Sequence, residues 1–449
     1  MNPLHDRTSS PRRDNGYVRV RALNYGRRAS ERRKGRERMN NGFSMTGLLR
    51  QRGDGRPRVT FIELFFDLVF VFAITQLSHH LLEHLTLHGA LQTLLLLLAV
   101  WRAWIDTAWF TNWFDPDRRP VRLTLIAAML VSLIMSATLP DAFADRGLTF
   151  AAAYVTMQVG RDLFAVAALR DQPSLRLNFQ RILCWAVASG VLWLAGALVH
   201  DTAREALWLA AVLVDYAAPA SGFVTPGLGR STTRDWTIAG SHLAERCQLF
   251  LIVALGESIL VTGSTFRDLD HSASVVAALI VAFLGTVTFW WLYFDRSAEA
   301  AGEIIAATTD PGRLGRSGYT YFHLPMVAGV IVTAVGDELV ITHPTGHADT
   351  ATIATVVGGP ALFLAGHLLF KHAAFGHFST ARPVALFALG ILAALGPRIS
   401  PLALSGIATL VVAAVILSDV RATRRVWQPS PPPAAEPPGD PEAVALEVD

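Results

Sequence analysis

The sequence predicts an all-α polytopic membrane protein with about twelve transmembrane helices, and three observations predict it. Of the 449 residues, 52% are hydrophobic and only 17% are charged, against roughly a quarter charged in an average soluble domain. The apolar residues gather into stretches of about 20, the length at which a helix crosses a ~30 Å hydrocarbon core. Arginine is rich in every second loop and sparse in the loops between, as in an inserted chain with two distinct sides.

Taken in order, residues 1–58 hold 16 Arg or Lys, including RRKGRER at 32–38. Few aliphatics accompany them, so this basic segment is expected to be disordered, with clusters suited to anionic lipid. No apolar run follows within the first 40 residues, so a cleaved signal peptide is not expected; Met39 or Met45 would also serve as a start. The twelve stretches are 59–79, 89–109, 121–140, 148–169, 179–199, 205–224, 241–263, 273–294, 319–340, 351–371, 381–397 and 401–419. Pro219 and Gly222 interrupt the sixth, and the eleventh is short. A linker at 225–240 joins the first six stretches to the last six. Residues 421–449, rich in proline and acid, are expected to be a disordered tail. Cys184 and Cys247 fall inside apolar runs with no metal, haem or disulfide spacing, and are read as packing residues.

Loop charge tests the count. Loops after even stretches carry Arg118 and Arg119, Arg170 and Arg176, Arg230 and Arg234, then Arg296, Arg313 and Arg316, then Arg382; the tail adds Arg421, Arg424 and Arg425. Loops after odd stretches carry at most one each: Arg146, Arg204, Arg267 and Arg398. Positive loops stay in the cytoplasm, which places both termini inside.

Stretches one and seven look related. ELFFDLVFVFAITQL pairs with ERCQLFLIVALGESIL, Glu63 lies 182 positions before Glu245, Gln76 lies 181 before Glu257, and Asp115 lies 180 before Asp295. Near-constant offsets predict a duplicated six-helix unit, 59–224 and 241–420, and an even number of spans per unit makes the repeat parallel.

The informative residues are the charges within spans. Glu63, Asp67, Asp106, Asp162, Asp215, Glu245 and Glu257 stand against Arg102, Arg161 and Arg246. Each costs roughly 2.5–3.5 kcal/mol at a helix centre, so all must face the bundle interior. Arg102 and Asp106 are four apart and share a face. Glu63 and Asp67 are also four apart, a like-charged pair that needs a cation, an arginine such as Arg246, or a proton. Seven acids against three bases leave an uncompensated negative charge. Asp215 is near mid-span with Pro219 one turn on, and Glu257 follows Gly256; broken helices near the midplane mark substrate sites. Glu63, Asp67, Asp215, Glu245 and Glu257 are therefore expected to bind an ion or substrate, or to form interhelical hydrogen bonds. Arg102, Asp106, Arg161, Asp162 and Arg246 are expected to form structural ion pairs. Arg161 and Asp162, being adjacent, point to different sides of their helix.

Histidine concentrates at the predicted outer ends: His79, His80, His84, His88, His200, His271, His343 and His347. If helix continues through them, His80, His84 and His88 share one face, a spacing that can chelate a metal; they can equally sense pH or stand as neutral polar residues. No Walker loop, dinucleotide fingerprint or zinc-finger spacing occurs, and GESIL lacks the second glycine of a nucleophile elbow. No cofactor and no nucleic acid partner is expected, and enzymatic activity is the lesser expectation. Membrane lipid is the expected partner.

FIELFFDLVFVFAITQLS at 61–78, WRAWIDTAWFTNWFDPD at 101–117 and ALGESILVTG at 254–263 resemble the low temperature requirement protein A family of bacterial membrane proteins, over roughly residues 55–420. The resemblance implies a multi-pass inner-membrane protein linked to growth in the cold; Glu63, Phe66, Asp67 and Glu257 are the positions that match its motif. The Arg102–Asp106 pair falls where more neutral residues belong and points to a subfamily difference. A span that starts with an acid and ends in FAI, within a doubled six-helix unit, is also similar to the lysosomal potassium and proton channels with a Phe-Ser-Asp motif, although Phe66-Asp67 lacks the serine. Two functions are expected from these features. One is a proton- or cation-linked transporter or channel with its acids where the repeats meet; the other is a non-transporting enzyme or scaffold of the membrane in cold or envelope adaptation.

Overall fold

Helices account for the ordered elements from Phe61 onward. The computed structural model of the chain describes residues 47–50, 59–236, 238–295 and 297–426, with side chains as far as Arg421. Most of the basic segment 1–58, including Met39 and Met45, lies outside the described residues, as do Arg296, the side chains of Arg424 and Arg425, and the tail from 427 onward.

The first half contains α1 (Phe61–Glu83), α2 (Leu87–Trp113), α3 (Arg119–Ala137), α4 (Gly147–Ala168), α5 (Pro173–Ala197) and α6 (Asp201–Ala220). The second contains α7 (Gly240–Arg267), α8 (Ala273–Phe294), α9 (Ser297–Ala307), α10 (Pro311–Leu314), α11 (His323–Thr342), α12 (Thr350–Phe375), α13 (Ala381–Leu395) and α14 (Pro401–Val426). Every one of the twelve predicted stretches is helical. Among the described residues, ten helical segments are long and apolar enough to cross a membrane. The two predicted stretches outside that set are α4 and α6, whose polar content dilutes them: α4 carries Gln158, Arg161 and Asp162, and α6 carries Asp201, Arg204, Glu205 and Asp215. The ninth helix begins at His323, not at 319, because a wide π-type turn occupies Gly315–Tyr321. The sixth is not broken at Pro219: α6 continues to Ala220, since a proline in the last turn leaves only one carbonyl without its donor.

Local chemistry sets the helix ends. At the start of α1, the carboxylate of Glu63 accepts from both the backbone N–H and the hydroxyl of Thr60, each at 2.8 Å, satisfying a donor that the helix cannot. Proline opens α3 and α5, where a missing N–H costs nothing. Ser272 caps α8 and Asp349 caps α12. After α6 the chain reverses at Gly222, with φ +71 and Ser231 O so close that a Cβ would collide with it; only glycine fits there.

The helix surfaces follow lipid. Helix α3 buries Val121, Leu125, Met129, Ser132 and Ser136 while exposing Leu123, Ile126, Leu130 and Leu133. Helix α13 exposes Val384, Phe387, Ile391 and Leu395. An apolar outer face with serine inside inverts the pattern of a helix on a water-soluble domain.

Contacts divide the chain into two compact units. Unit 1 takes α1 as far as Gln76, the chain from Leu95 to Arg246, and Asp310–Gly312; unit 2 takes Leu77–Leu94, Cys247–Thr309 and the chain from Arg313. In unit 1, α4 packs against α3 and α5, and α5 against α6. Phe150, Tyr154, Trp193 and Trp208 form its aromatic centre, with neighbouring ring centroids 4.9–5.9 Å apart. Residues 47–50, from the segment read as disordered, lie along the end of α2: Arg50 N–H donates to Trp113 O at 2.7 Å, and Asp115 N–H to Leu48 O at 2.8 Å.

In unit 2 the main contact is α11 on α12. Gly329 and Gly336 on α11 and Gly359 and Gly366 on α12 bring the two backbones together, the close approach that small residues permit inside a membrane. A Cβ on Gly359 would collide with the Thr333 hydroxyl and lie 2.7 Å from its backbone nitrogen. Gly359→Leu is therefore expected to cost about 1–3 kcal/mol or more by overpacking, read as a lowered Tm in detergent. Gly358→Ala, where an added Cβ meets nothing within 4 Å, is expected to hold or raise the Tm, since helical glycine costs roughly 0.5–1 kcal/mol.

The cap at Asp349 gives a pH-dependent prediction. Hydrogen bonding by Thr352 holds the Asp349 carboxyl below its ordinary range, with Thr352 N–H donating at 2.8 Å. A carboxylate depressed in the folded state stabilises above its unfolded pKa, and that stabilisation is lost as pH falls through the folded value. Asp349→Ala is expected to cost about 1 kcal/mol at neutral pH. The gap from wild type should close on acidification below about pH 4, as thermal melts across that range would read.

Candidate functional site

Glu63 and Asp67 lie one turn apart on α1, and His242 and Arg246 lie one turn apart on α7. Both pairs therefore present their side chains along a single helix face, and within unit 1 the two faces meet. Glu63 Oε1 is 2.9 Å from His242 Nε2 and 3.5 Å from Arg246 Nη1. Arg246 Nη2 is 2.6 Å from Asp67 Oδ1, which also accepts from the indole N–H of Trp104 at 2.7 Å. The Arg246 guanidinium stands over the Trp104 ring, 5.7 Å from its centroid. Glu63, His242 and Arg246 are fully buried, and Asp67 is 1% exposed. The like-charged pair read from the sequence is thus bridged by one arginine, whose fork of donors suits two carboxylates better than an ammonium would.

Two residues outside α1 and α7 complete the cluster. Arg50 Nη2 lies 3.3 Å from both Glu63 carboxylate oxygens. Asn112, near the end of α2, exchanges two hydrogen bonds with the backbone of Ala239, at 2.7 and 2.9 Å, and its amide donates to His242 Nδ1 at 3.3 Å. With Nδ1 as acceptor, the neutral ring carries its proton on Nε2, aimed at Glu63. Arg50 and Asn112 also line a cleft of about 660 Å³, with Arg181, Arg230, Arg234 and Asp235 among its other walls. The cluster therefore borders open space on its Arg50 side. Asp67 Oδ2, at the other end, is buried without a hydrogen-bond partner among the described residues.

A second polar cluster in unit 1 joins α2, α4 and α6. Arg102 Nε is 2.9 Å from Asp106, which also accepts from Gln158 at 2.9 Å and lies 3.6 Å from Arg161. Arg161 and Asp162, adjacent on α4, pair with each other, Arg161 Nε lying 3.3 Å from Asp162 Oδ1. Asp215 Oδ2 accepts from the Tyr154 hydroxyl at 2.8 Å and the Trp193 indole at 3.2 Å. Arg102, Asp106, Gln158, Asp162 and Asp215 line a cavity of only about 10 Å³, room for one water at most.

The remaining predicted residues are elsewhere. Glu245 is half-buried and accepts from the backbone N–H of Val59 at 3.3 Å. Glu257 is buried in unit 2, beside Ser258, whose hydroxyl is 3.4 Å from that of Thr286. Helix α7 runs through Gly256 without a break. The shared face expected for His80, His84 and His88 does not form, because α1 ends at Glu83 and α2 restarts at Leu87. His84 Nδ1 lies 3.0 Å from the His80 carbonyl, and no group of three metal-ligating side chains occurs among the described residues. Sequence reasoning missed Arg50, Trp104, Asn112 and His242. For His242 a signal existed: its spacing to Arg246 equals that of Glu63 to Asp67.

Removing one partner of a buried pair leaves the other charge uncompensated. Arg246→Met is expected to cost about 3–5 kcal/mol of stability. Adding Asp67→Asn should return part of that loss, which a double-mutant cycle of denaturation midpoints would read as a coupling between the two sites.

Residues 58–417 match the family described as bacterial low temperature requirement A protein (LtrA). The chain is 39% identical over 328 residues to a protein of Rhizobium meliloti (strain 1021) described as uncharacterized protein RA0937, a match that covers 73% of this chain and 80% of that protein. No solved structure matches it.

Proposed function

Since the chain belongs to the bacterial low temperature requirement A protein family, we propose that it is a proton-linked transporter or channel of the inner membrane. In this reading Glu63 and His242 exchange the proton, and Arg246 and Asp67 set the local charge. The observation that carries it is the buried contact between Glu63 and His242, 2.9 Å long. A carboxylate and an imidazole at that distance share one proton and can pass it between them, and intramembrane ionisable residues mark ion and proton pathways. Arg50 and Asn112 link the pair to the cleft. Four arginines among the cleft walls oppose the entry of a metal cation, whereas a proton moves along hydrogen bonds. The alternation of loop arginines supports two cytoplasmic termini, and the matched offsets support a parallel repeat of 59–224 on 241–420. The low-temperature requirement in the family's description then becomes a need for this flux in the cold.

One observation favours the other reading, in which the charges only knit the bundle: each acid of the cluster already meets an arginine. Flux separates the two. Purified protein in liposomes, with an imposed potassium gradient and a lumenal pH dye, is expected to carry protons. Glu63→Gln and His242→Gln should lower the rate at least tenfold, equivalent to about 1.4 kcal/mol on the barrier, while the variants still elute as folded protein. Folded wild-type protein that moves no protons, sodium or potassium would hand the function to the scaffold reading.

A further inference from the structure

A second carboxylate site lies in unit 2, on residues the proposed proton path does not use. Asp337 on α11 is 5% exposed, and its Oδ2 is buried without a hydrogen-bond partner among the described residues. One turn earlier, the Thr333 hydroxyl is in the same condition. Both side chains line a cavity of about 20 Å³, with Thr288 from α8, Pro360 from α12, and Ser405 and Thr409 from α14. Asp337 is the one ionisable residue in that lining.

Five of the eleven lining side chains carry oxygen, those of Asp337, Thr333, Thr288, Ser405 and Thr409, and the other six are apolar or glycine. The Thr288 hydroxyl donates its proton to Gly285 O at 2.7 Å, which leaves its lone pairs free to accept. Pro360, inside α12, has no N–H for the carbonyl of Val356, and Val356 also lines the cavity. A lone carboxyl in such surroundings needs a compensating cation or a proton, and no arginine, lysine or histidine is in the lining. The volume just exceeds the roughly 10–15 Å³ that one water needs, so it admits one small dehydrated species and no hydration shell. Carboxylate, hydroxyl and carbonyl oxygens select hard cations. A single negative charge suits a monovalent ion, and magnesium gives up its water reluctantly.

We propose that the cavity among Asp337, Thr333, Thr288, Ser405 and Thr409 binds one dehydrated monovalent cation of sodium size. The site shares no residue with the Glu63–His242 cluster, so it stands or falls apart from the proton-linked reading.

The test is thermal unfolding of the full chain in detergent at fixed, mildly alkaline pH. Sodium chloride is titrated against choline chloride at constant ionic strength, with potassium chloride in parallel. A ligand that binds only the folded state raises the Tm saturably, so sodium is expected to raise it by several degrees, with potassium weaker. Asp337→Asn should abolish the sodium response, and Ser405→Ala should shift its midpoint about tenfold to higher sodium, roughly the loss of 1.4 kcal/mol of binding. Wild type that responds to sodium no more than to choline would mean a water or a protonated carboxyl in the cavity, and would end the proposal. So would identical sodium titrations in wild type and Asp337→Asn. If Asp337→Asn does not fold, Ser405→Ala decides: an unshifted midpoint overturns the site.

Discussion

The buried guanidinium of Arg246 is the constraint around which unit 1 is arranged. A full charge in a low-dielectric bundle is tolerable only with close counter-charges. Here Asp67 meets one edge of the fork and Glu63 the other, while the Trp104 ring covers a face. That requirement holds α1 against α7 in a single register, because the two acids are one turn apart and must both reach the same side chain. It also explains why Glu63 has a second task at the helix start, where Thr60 donates to it twice. The acid that neutralises the arginine is itself held by the first turn of α1.

Helix α2 shows how far the polar interior extends. Its hydropathy would allow it to face lipid, yet 78% of its most apolar window is buried. Residues 102, 104 and 106 alternate between opposite sides of the helix. Trp104 turns to Asp67, while Arg102 and Asp106 turn to Arg161, Gln158 and the small cavity beside Asp215. From Leu95 to Trp113 hydrogen-bonding partners on both sides leave the helix little face for lipid, while Leu87, Leu91 and Leu94 at its start are exposed. The outward leucines of α3 and α13 supply that surface instead.

The helices and the ionic face of α1 were legible in the sequence, because both rest on strong local signals: apolar length for the spans, and four-residue spacing for Glu63 and Asp67. What was not legible depends on contacts between distant segments. Arg50 sits in a stretch whose composition reads as a solvated tail, and only its backbone pairing with Trp113 and Asp115 brings it to Glu63. His242 lies at the edge of a span, where a neutral polar residue is unremarkable, until Asn112 from 130 positions away sets its tautomer. Asp337 follows Gly336 near the end of α11 and was not singled out among the acids of the spans; the close approach of α11 to α12 at the glycines buries it. The three-histidine face failed for the converse reason: a local spacing held in the sequence, but the helix meant to display it stopped at Glu83.

The two clusters of unit 1 differ in the property that separates a working site from a structural one, which is access. Asp106, Asp162 and Asp215 line only about 10 Å³, room for one water at most and for no chain of them. Tyr154 and Trp193 occupy one oxygen of Asp215, and the arginines of α2 and α4 hold the other two acids. A group with no chain of waters beside it has no ready path for its proton. Glu63 is no less buried, but its neighbours Arg50 and Asn112 stand in the wall of a cleft more than fifty times larger. Burial of the acid with exposure of its partners is the geometry a proton-handling group needs: dry enough for its charge state to matter, and one hydrogen bond away from the solvent that changes it.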